Sequence, residues 1–161
     1  MGYKTIVGLE IHVELATTYK IFCNCLNQYG ADANTLVCPV CLGLPGALPV
    51  LDKEALEYGI KAGIAFNSEI SKLVRMDRKN YFYSDLVKGY QISQDDLPLC
   101  DGGYVEIELE GETKKINLER IHIEEDTGKQ LHSDEGGTLL DFNRSGVPLI
   151  EIVTKPDMNS A

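Results

Sequence analysis

The sequence predicts an α+β fold built on a largely antiparallel or mixed sheet with few helices, and three observations carry that reading. Strictly alternating apolar and polar residues recur near the start, in the middle and near the end of the chain. One segment, 53–66, has helical character. Between the first alternating stretch and that helix lies a loop-rich segment, 22–42, that carries four of the five cysteines.

Residues 3–15 alternate so that Val7, Leu9, Ile11, Val13 and Leu15 point one way and Gly8, Glu10, His12 and Glu14 the other. This predicts a strand with one core face and one polar face. Residues 22–42 show little periodicity and are expected to form a metal knuckle. Asp52 is placed to cap the helix, and Leu51 and Leu56 have the spacing of a hydrophobic staple. Residues 74–94 are rich in Tyr, Lys, Arg and Asp without a clean period, which predicts a long irregular functional segment.

Val105, Ile107 and Leu109 then alternate with Glu106, Glu108 and Glu110, and Gly111 marks a turn toward Ile116 and Leu118. The apolar parity flips between Leu118 and Ile121, which predicts a bulge. Residues 138–154 are expected to form a further hairpin that turns at Arg144-Ser145-Gly146.

With 161 residues, 43% of them hydrophobic and 25% charged, the chain has the composition of one globular domain. Its 25 acids against 15 bases leave a net charge of -10, which opposes binding a phosphate backbone across the general surface. Glu10, His12 and Glu14 break the apolar start, so it is not a signal-peptide core, and no run approaches the length of a membrane span. Five cysteines without a secretory signal point to a reducing cytoplasm, where close pairs hold metal more often than they form disulfides.

Cys23-x-Cys25 and Cys38-x-x-Cys41 are two close pairs separated by twelve residues, suited to one tetrahedral Zn²⁺. Four thiolates leave no open coordination position, so the role is structural. Cys100 falls outside the pattern and is expected in the core.

Glu10, His12 and Glu14 share a strand face, and Arg120, His122, Glu124, Glu125 and Asp126 form a second polar cluster. Two such strands facing one pocket would suit a divalent ion bridging the oxygens of a triphosphate. Taken alone, the same pattern also fits a solvated strand face. Gly8 and Gly128 flank the clusters, where close backbone approach is possible. Arg75, Arg78, Lys79 and Lys88 interleave with Tyr81, Tyr83 and Tyr90 in the only such segment of the chain, suited to phosphate and to base stacking. No Walker A loop, dinucleotide fingerprint or amide-hydrolysing nucleophile is present.

The blocks VGLEIHVEL, IFCNC, CPVCLGLPGALPVLD, DRKNYFYSDLVKGYQISQ, RIHIEEDTGK and DFNRSGVPLIEIV, long and in order, closely resemble the B subunit of the aspartyl/glutamyl-tRNA amidotransferase family. The resemblance implies that 1–161 is the N-terminal part of a catalytic cradle of mixed sheet with a zinc-knuckle insertion, without the family's helical and tRNA-binding tail domains. It implies ATP- and Mg²⁺-dependent phosphorylation of the side-chain carboxylate of Glu-tRNA(Gln) or Asp-tRNA(Asn). Amidation follows, with ammonia from a partner amidase, the A subunit, in a complex that includes a small C subunit.

Carried over by position, the resemblance implies catalytic roles for Glu10, His12, Glu124 and Glu125, with Asp126 beside them, and magnesium ligation by Glu10, His12 and Glu125. It implies that Arg78, Lys79, Tyr81, Tyr83 and Lys88 serve ATP, phosphate or ammonia passage, and that Cys23, Cys25, Cys38 and Cys41 hold zinc. Members commonly have Tyr-Pro-Asp-Leu-Pro where this chain has Tyr83-Ser-Asp-Leu-Val, which predicts a looser loop. The chain alone is expected to be inactive and to bind tRNA weakly. A zinc-stabilised scaffold without chemistry is the alternative of a different class, distinguished by whether the polar clusters converge.

Overall fold

The computed structural model describes residues 2–133 and 136–160. Its strands are β1 (Glu10–Glu14), β2 (Glu69–Ile70), β3 (Asp77–Asn80), β4 (Tyr90–Ser93), β5 (Cys100–Asp101), β6 (Tyr104–Leu109), β7 (Glu112–Glu125), β8 (Lys129–His132), β9 (Thr138–Asp141) and β10 (Pro148–Thr154). The helix α1 (Lys53–Ala65) lies between β1 and β2. The main sheet runs in the order β1-β10-β7-β5-β2, with β6 folded back on the first half of β7. The pairings among the described strands are all antiparallel, as the α+β reading expects.

The helix begins where its cap is. Asp52 is extended, and its Oδ1 accepts from Ala55 N–H at 2.9 Å. Along α1, Ala55, Gly59 and Gly63 fall every fourth residue, so small groups make one face. That face lies directly on the sheet. A methyl at Gly59 would meet Leu99 Cδ2 at 2.4 Å, and one at Gly63 would meet Cys100 Sγ at 2.4 Å. Below it lie Leu118, Ile121, Ile123, Ile150 and Ile152 with Leu99 and Cys100, all in one buried cluster. Each such aliphatic side chain contributes about 1.5–3 kcal/mol on burial.

The central strands have two different faces. Ile121 and Ile123 on β7 and Ile150 and Ile152 on β10 pair in register in the core, so the alternate residues His122, Glu124 and Glu151 occupy the opposite face. The parity flip in β7 is a bulge. Val153 pairs with Arg120 and Thr154 with Leu118, which leaves Glu119 without a partner on β10.

Four expectations need correction. The first strand is shorter than 3–15: only Glu10–Glu14 pair continuously, and Val7 makes an isolated bridge to Met158. Most of its apolar face is not core: Leu9, Ile11 and Val13 are 46%, 41% and 40% exposed, whereas Leu15 is buried in the main cluster. Alternation fixed the side to which these residues point, but α1 packs over β7 and β2 and does not extend over the edge strand β1.

The segment 74–94 is a hairpin rather than irregular, because β3 pairs with β4 around the loop 81–89. Residues 138–154 do not form one hairpin. The turn at Arg144-Ser145-Gly146 separates β9, which pairs with β8, from β10, which pairs with β7 and β1.

Candidate functional site

Register assembles the polar face. His12 on β1 stands opposite Glu151 on β10, and Glu151 stands opposite His122 on β7, so one row crosses three strands. Glu124, two residues along β7 on the same face, completes the group. His12 Nε2 lies 3.0 Å from Glu124 Oε1 and 3.5 Å from Glu151 Oε2. His122 Nε2 lies 3.1 Å from Glu151 Oε2 and 3.5 Å from Glu124 Oε2.

The two histidines have different roles. His122 is buried, and its Nδ1 accepts from Arg120 Nε at 3.3 Å. Its Nε2 points at the carboxylates, which it orients from behind. The His12 side chain is half exposed, and its Nε2 faces the same carboxylates from the open side. Ser93 of β4 donates to Glu124 Oε2 at 2.9 Å. Burial pushes the Glu124 carboxyl up, but hydrogen bonds from His122 and Ser93 and the charges of His122 and His12 outweigh it, so its pKa lies below the ordinary value.

His12, Glu124 and Glu151 offer ligand atoms that lie within 4.8 Å of one another. Two carboxylate oxygens and one imidazole, open on the His12 side, fit a hard divalent ion with positions left for water or phosphate. Of the expected magnesium set, His12 belongs to this group. Glu10 lies on the wall of the adjoining cleft, and Glu125 turns away toward Lys88. Asp126 also turns away, 3.4 Å from Arg144 Nε.

The cleft beside the group has a volume of about 570 Å³ and holds Arg75, Arg78, Lys79 and Arg120 along with Glu10, His122 and Glu151. Arg75 is engaged by Asp77 and Asp96, whereas Arg78 lies 5.2 Å from the centre of the Tyr90 ring. Lys79 is exposed on β3. Asp77, Asp95 and Asp96 share the lining, so the cleft is of mixed charge, and Arg78, Lys79 and Arg120 beside the carboxylate group supply the cations that a metal-bridged polyphosphate requires.

Lys88 and Glu125 form a buried ion pair, with side chains 7% and 4% exposed. Glu125 Oε1 also accepts from Ile92 N–H at 2.9 Å. Burial pushes the Glu125 carboxyl above its ordinary range, although the Lys88 ammonium and that N–H pull it down. Tyr81 is half-buried, and burial followed by the nearby acids Asp85, Glu124, Asp126 and Glu125 raises its hydroxyl. Tyr83 is exposed, outside the group. The loop that lacks two prolines is held by Leu86 N–H to Tyr83 O at 3.1 Å, Gly128 N–H to Asp85 O at 2.9 Å, and Thr127 Oγ1 to Asp85 Oδ2 at 3.0 Å. Gly128 makes its close approach to the Phe142 ring rather than to the carboxylate group.

The four knuckle cysteines converge from two turns, with their Sγ atoms within 4.8 Å of one another. Lys20 N–H bonds Cys25 O at 3.0 Å to close the first turn, and Leu42 N–H bonds Cys38 O at 3.0 Å to close the second. The Cys38 N–H also donates to Cys41 Sγ at 3.1 Å. The Cys41 thiol is lowered to about 5, chiefly by hydrogen bonding with Cys23 and against burial, with the Cys38 N–H and the Lys20 charge adding to the effect. Cys25 is pushed to about 11, mainly by burial. Converging sulfurs with one thiolate already favoured fit a tetrahedral zinc site.

A smaller cavity of about 160 Å³ separates this knuckle from the Lys88–Glu125 pair. Gly43, at φ +63°, forms part of its lining, and a methyl there would lie 2.2 Å from Lys88 Cγ.

Sequence reasoning missed Glu151, whose signal was a single acid inside the apolar run Pro148-Leu-Ile-Glu-Ile-Val. It also missed Ser93 and Lys20, for which no local pattern exists; only tertiary packing brings them to Glu124 and Cys41.

A family model described as the GatB/GatE catalytic domain matches residues 5–161. The B subunit of the aspartyl/glutamyl-tRNA(Asn/Gln) amidotransferase of Thermoanaerobacter pseudethanolicus (strain ATCC 33223 / 39E) is 61% identical over 160 residues, covering 99% of this chain and 34% of that protein. The proteins of the same name from Finegoldia magna (strain ATCC 29328 / DSM 20472 / WAL 2508) and Clostridium novyi (strain NT) are 59% and 62% identical, covering 99% and 100% of this chain and 34% of each relative. The chain thus spans about a third of the length of these curated relatives.

Proposed function

The chain belongs to the GatB/GatE catalytic-domain family, and on that premise we propose that it supplies the ATP- and Mg²⁺-dependent activation site of a tRNA-dependent amidotransferase. In this reading the side-chain carboxylate of Glu-tRNA(Gln) or Asp-tRNA(Asn) is phosphorylated, and ammonia then displaces phosphate to give the amide. The observation that carries it is the in-register row His12–Glu151–His122, joined by Glu124 and set beside a cleft that holds Arg78, Lys79 and Arg120.

His12, Glu124 and Glu151 would hold the divalent ion, which when bound neutralises charge on the phosphate oxygens. His122 and Ser93 hold the Glu124 and Glu151 carboxylates aimed at that point. Arg78 and Lys79 of β3 and Arg120 of β7 would meet the polyphosphate in the cleft, and Arg78 is steadied by the Tyr90 ring. Glu125 and Lys88 neutralise each other deeper in, beside the cavity that leads toward the knuckle. The four cysteines hold a structural zinc.

We assign residues 1–161 to the N-terminal part of a catalytic cradle. Its partners in this reading are the amidase (the A subunit) and the small C subunit, and most of the tRNA contact falls to the two thirds or so of the relatives outside the matched region. A net charge of -10 agrees with weak tRNA contact by this region. No described helix is long and apolar enough to cross a membrane, and we place the protein in the cytoplasm.

Titrating the chain with Mn²⁺ as a paramagnetic substitute for Mg²⁺ tests the site directly. One Mn²⁺ should bind, be displaced by Mg²⁺ and bind more tightly with ATP present. Glu151→Gln and Glu124→Gln should each weaken it about tenfold or more. Zinc binding without any Mn²⁺ or nucleotide binding would instead favour a scaffold without chemistry.

A further inference from the structure

A lysine that is completely buried needs an explanation, because an ammonium taken out of water is costly unless its charge is met. Lys20 is 0% exposed. Its Nζ donates to Leu36 O at 2.7 Å and to Phe142 O at 3.4 Å, and its third partner is Cys41 Sγ at 3.8 Å. The first two are neutral carbonyls. Among the described residues no carboxylate lies within 4.0 Å of Lys20; Asp141, which feels its charge, is farther away and partly exposed. Among the described residues, the group in contact that can carry the compensating negative charge is the Cys41 sulfur.

The surroundings fix this arrangement. Gly146, at φ +85°, packs beside both residues: a methyl there would lie in ordinary contact, 3.6 Å from Lys20 Cδ and 3.5 Å from Cys41 Cβ. Ile21 N–H bonds Gly146 O at 2.9 Å, next to Lys20 in the chain. Ser145 Oγ donates to Cys41 O at 3.3 Å. Lys20 and Cys41 are thus clamped to the same turn at the start of β10, the strand that carries Glu151.

Four thiolates around one divalent ion leave a double negative charge in a largely buried place. We infer that Lys20 is the counter-charge of the four-cysteine site, a positioning residue whose ammonium holds the Cys41 thiolate and raises the affinity of the set for zinc. This rests on the zinc reading above. Lys20 is not among the four converging ligand atoms; its Nζ meets one of them, Cys41 Sγ, at 3.8 Å.

The experiment measures zinc affinity of the chain by competition with a chromophoric chelator, for wild type, Lys20→Arg, Lys20→Gln and Lys20→Met. The thiolate-to-cobalt absorption of the Co²⁺-loaded proteins is recorded in parallel. Arg keeps the charge and Gln keeps only a donor for the carbonyls. The expected result is an affinity within about threefold of wild type for Lys20→Arg and a loss of about 10–100-fold for Lys20→Gln, with a shifted cobalt band. If Lys20→Met does not fold, the Arg and Gln pair decides.

Equal zinc affinity and an unchanged cobalt band in folded Lys20→Gln would overturn the counter-charge role and leave Lys20 a buried hydrogen-bonding residue. A wild-type chain that binds no zinc would instead remove the zinc reading on which the inference stands, so the two failures are distinct.

Discussion

Replacing Lys88 with Met tests the buried pair at the base of the site. Both side chains are almost fully buried, and Lys88→Met leaves the Glu125 carboxylate with one remaining partner, the Ile92 N–H at 2.9 Å. Removing one member of a buried pair costs about 3–5 kcal/mol, and the surviving N–H places this case near about 3 kcal/mol.

The loss must depend on pH. Burial already raises Glu125 in the intact protein, and the Lys88 charge and hydrogen bond are the chief influences that lower it. Without them the folded-state pKa rises further above its unfolded value. A raised folded-state pKa means the protonated carboxyl is favoured on folding. The extra penalty is therefore small at low pH and grows by up to about 1.4 kcal/mol per pH unit until the folded-state pKa is passed.

Equilibrium urea unfolding at about pH 6 and about pH 8 measures this for the wild type, Lys88→Met, Glu125→Gln and the double variant. Lys88→Met should lose more stability at the higher pH, and adding Glu125→Gln should restore at least about 1 kcal/mol of it. A loss below about 0.5 kcal/mol, or an equal loss at both pH values, would refute the reasoning.

Two further outcomes follow from the same geometry. Protein purified without added metal should contain about one zinc per chain, and Cys38→Ser should lower both zinc content and the unfolding midpoint, because metal binding to a structural site is folding free energy; elemental analysis with thermal unfolding checks this. Gly43→Ala should displace the Lys88 side chain, since the added methyl falls 2.2 Å from its Cγ, and its φ of +63° adds a strain of its own; a smaller loss of stability from Gly43→Ala when Lys88 is already Ala, which lacks the Cγ, would confirm that the two positions are coupled.

Much of this fold was legible because period-two patterning acts locally. The polar row of β1, the bulge near Glu119, the Asp52 cap and the turn at Gly111 each follow from neighbouring residues and backbone sterics. What alternation could not give is which strand lies next to which. β9 and β10 flank a good turn signal, yet each finds a better partner elsewhere, and only the three-dimensional sheet order reveals it.

The same limit applied to the site. Glu124 and His12 stood out as members of polar runs, whereas Glu151 enters the group because β10 lies between β1 and β7. Glu125 looked equivalent to Glu124, but adjacent strand residues point to opposite sides, and Glu125 meets Lys88 instead. Exposure of Leu9, Ile11 and Val13 was equally hidden, since alternation says nothing of how far a single helix reaches across a sheet.

The central claim is that the His12–Glu124–Glu151 group supports ATP-dependent activation of a tRNA-linked carboxylate. The most direct measurement replaces the matching third of the 61%-identical Thermoanaerobacter pseudethanolicus protein with this chain and assembles the chimera with that enzyme's other subunits. Formation of Gln-tRNA(Gln) from Glu-tRNA(Gln) is then followed with ammonia as the nitrogen source. The account predicts amide formation that requires both ATP and Mg²⁺ and falls at least about a hundredfold in Glu124→Gln, a few kcal/mol of transition-state stabilisation. Full activity in folded, assembled Glu124→Gln would contradict it.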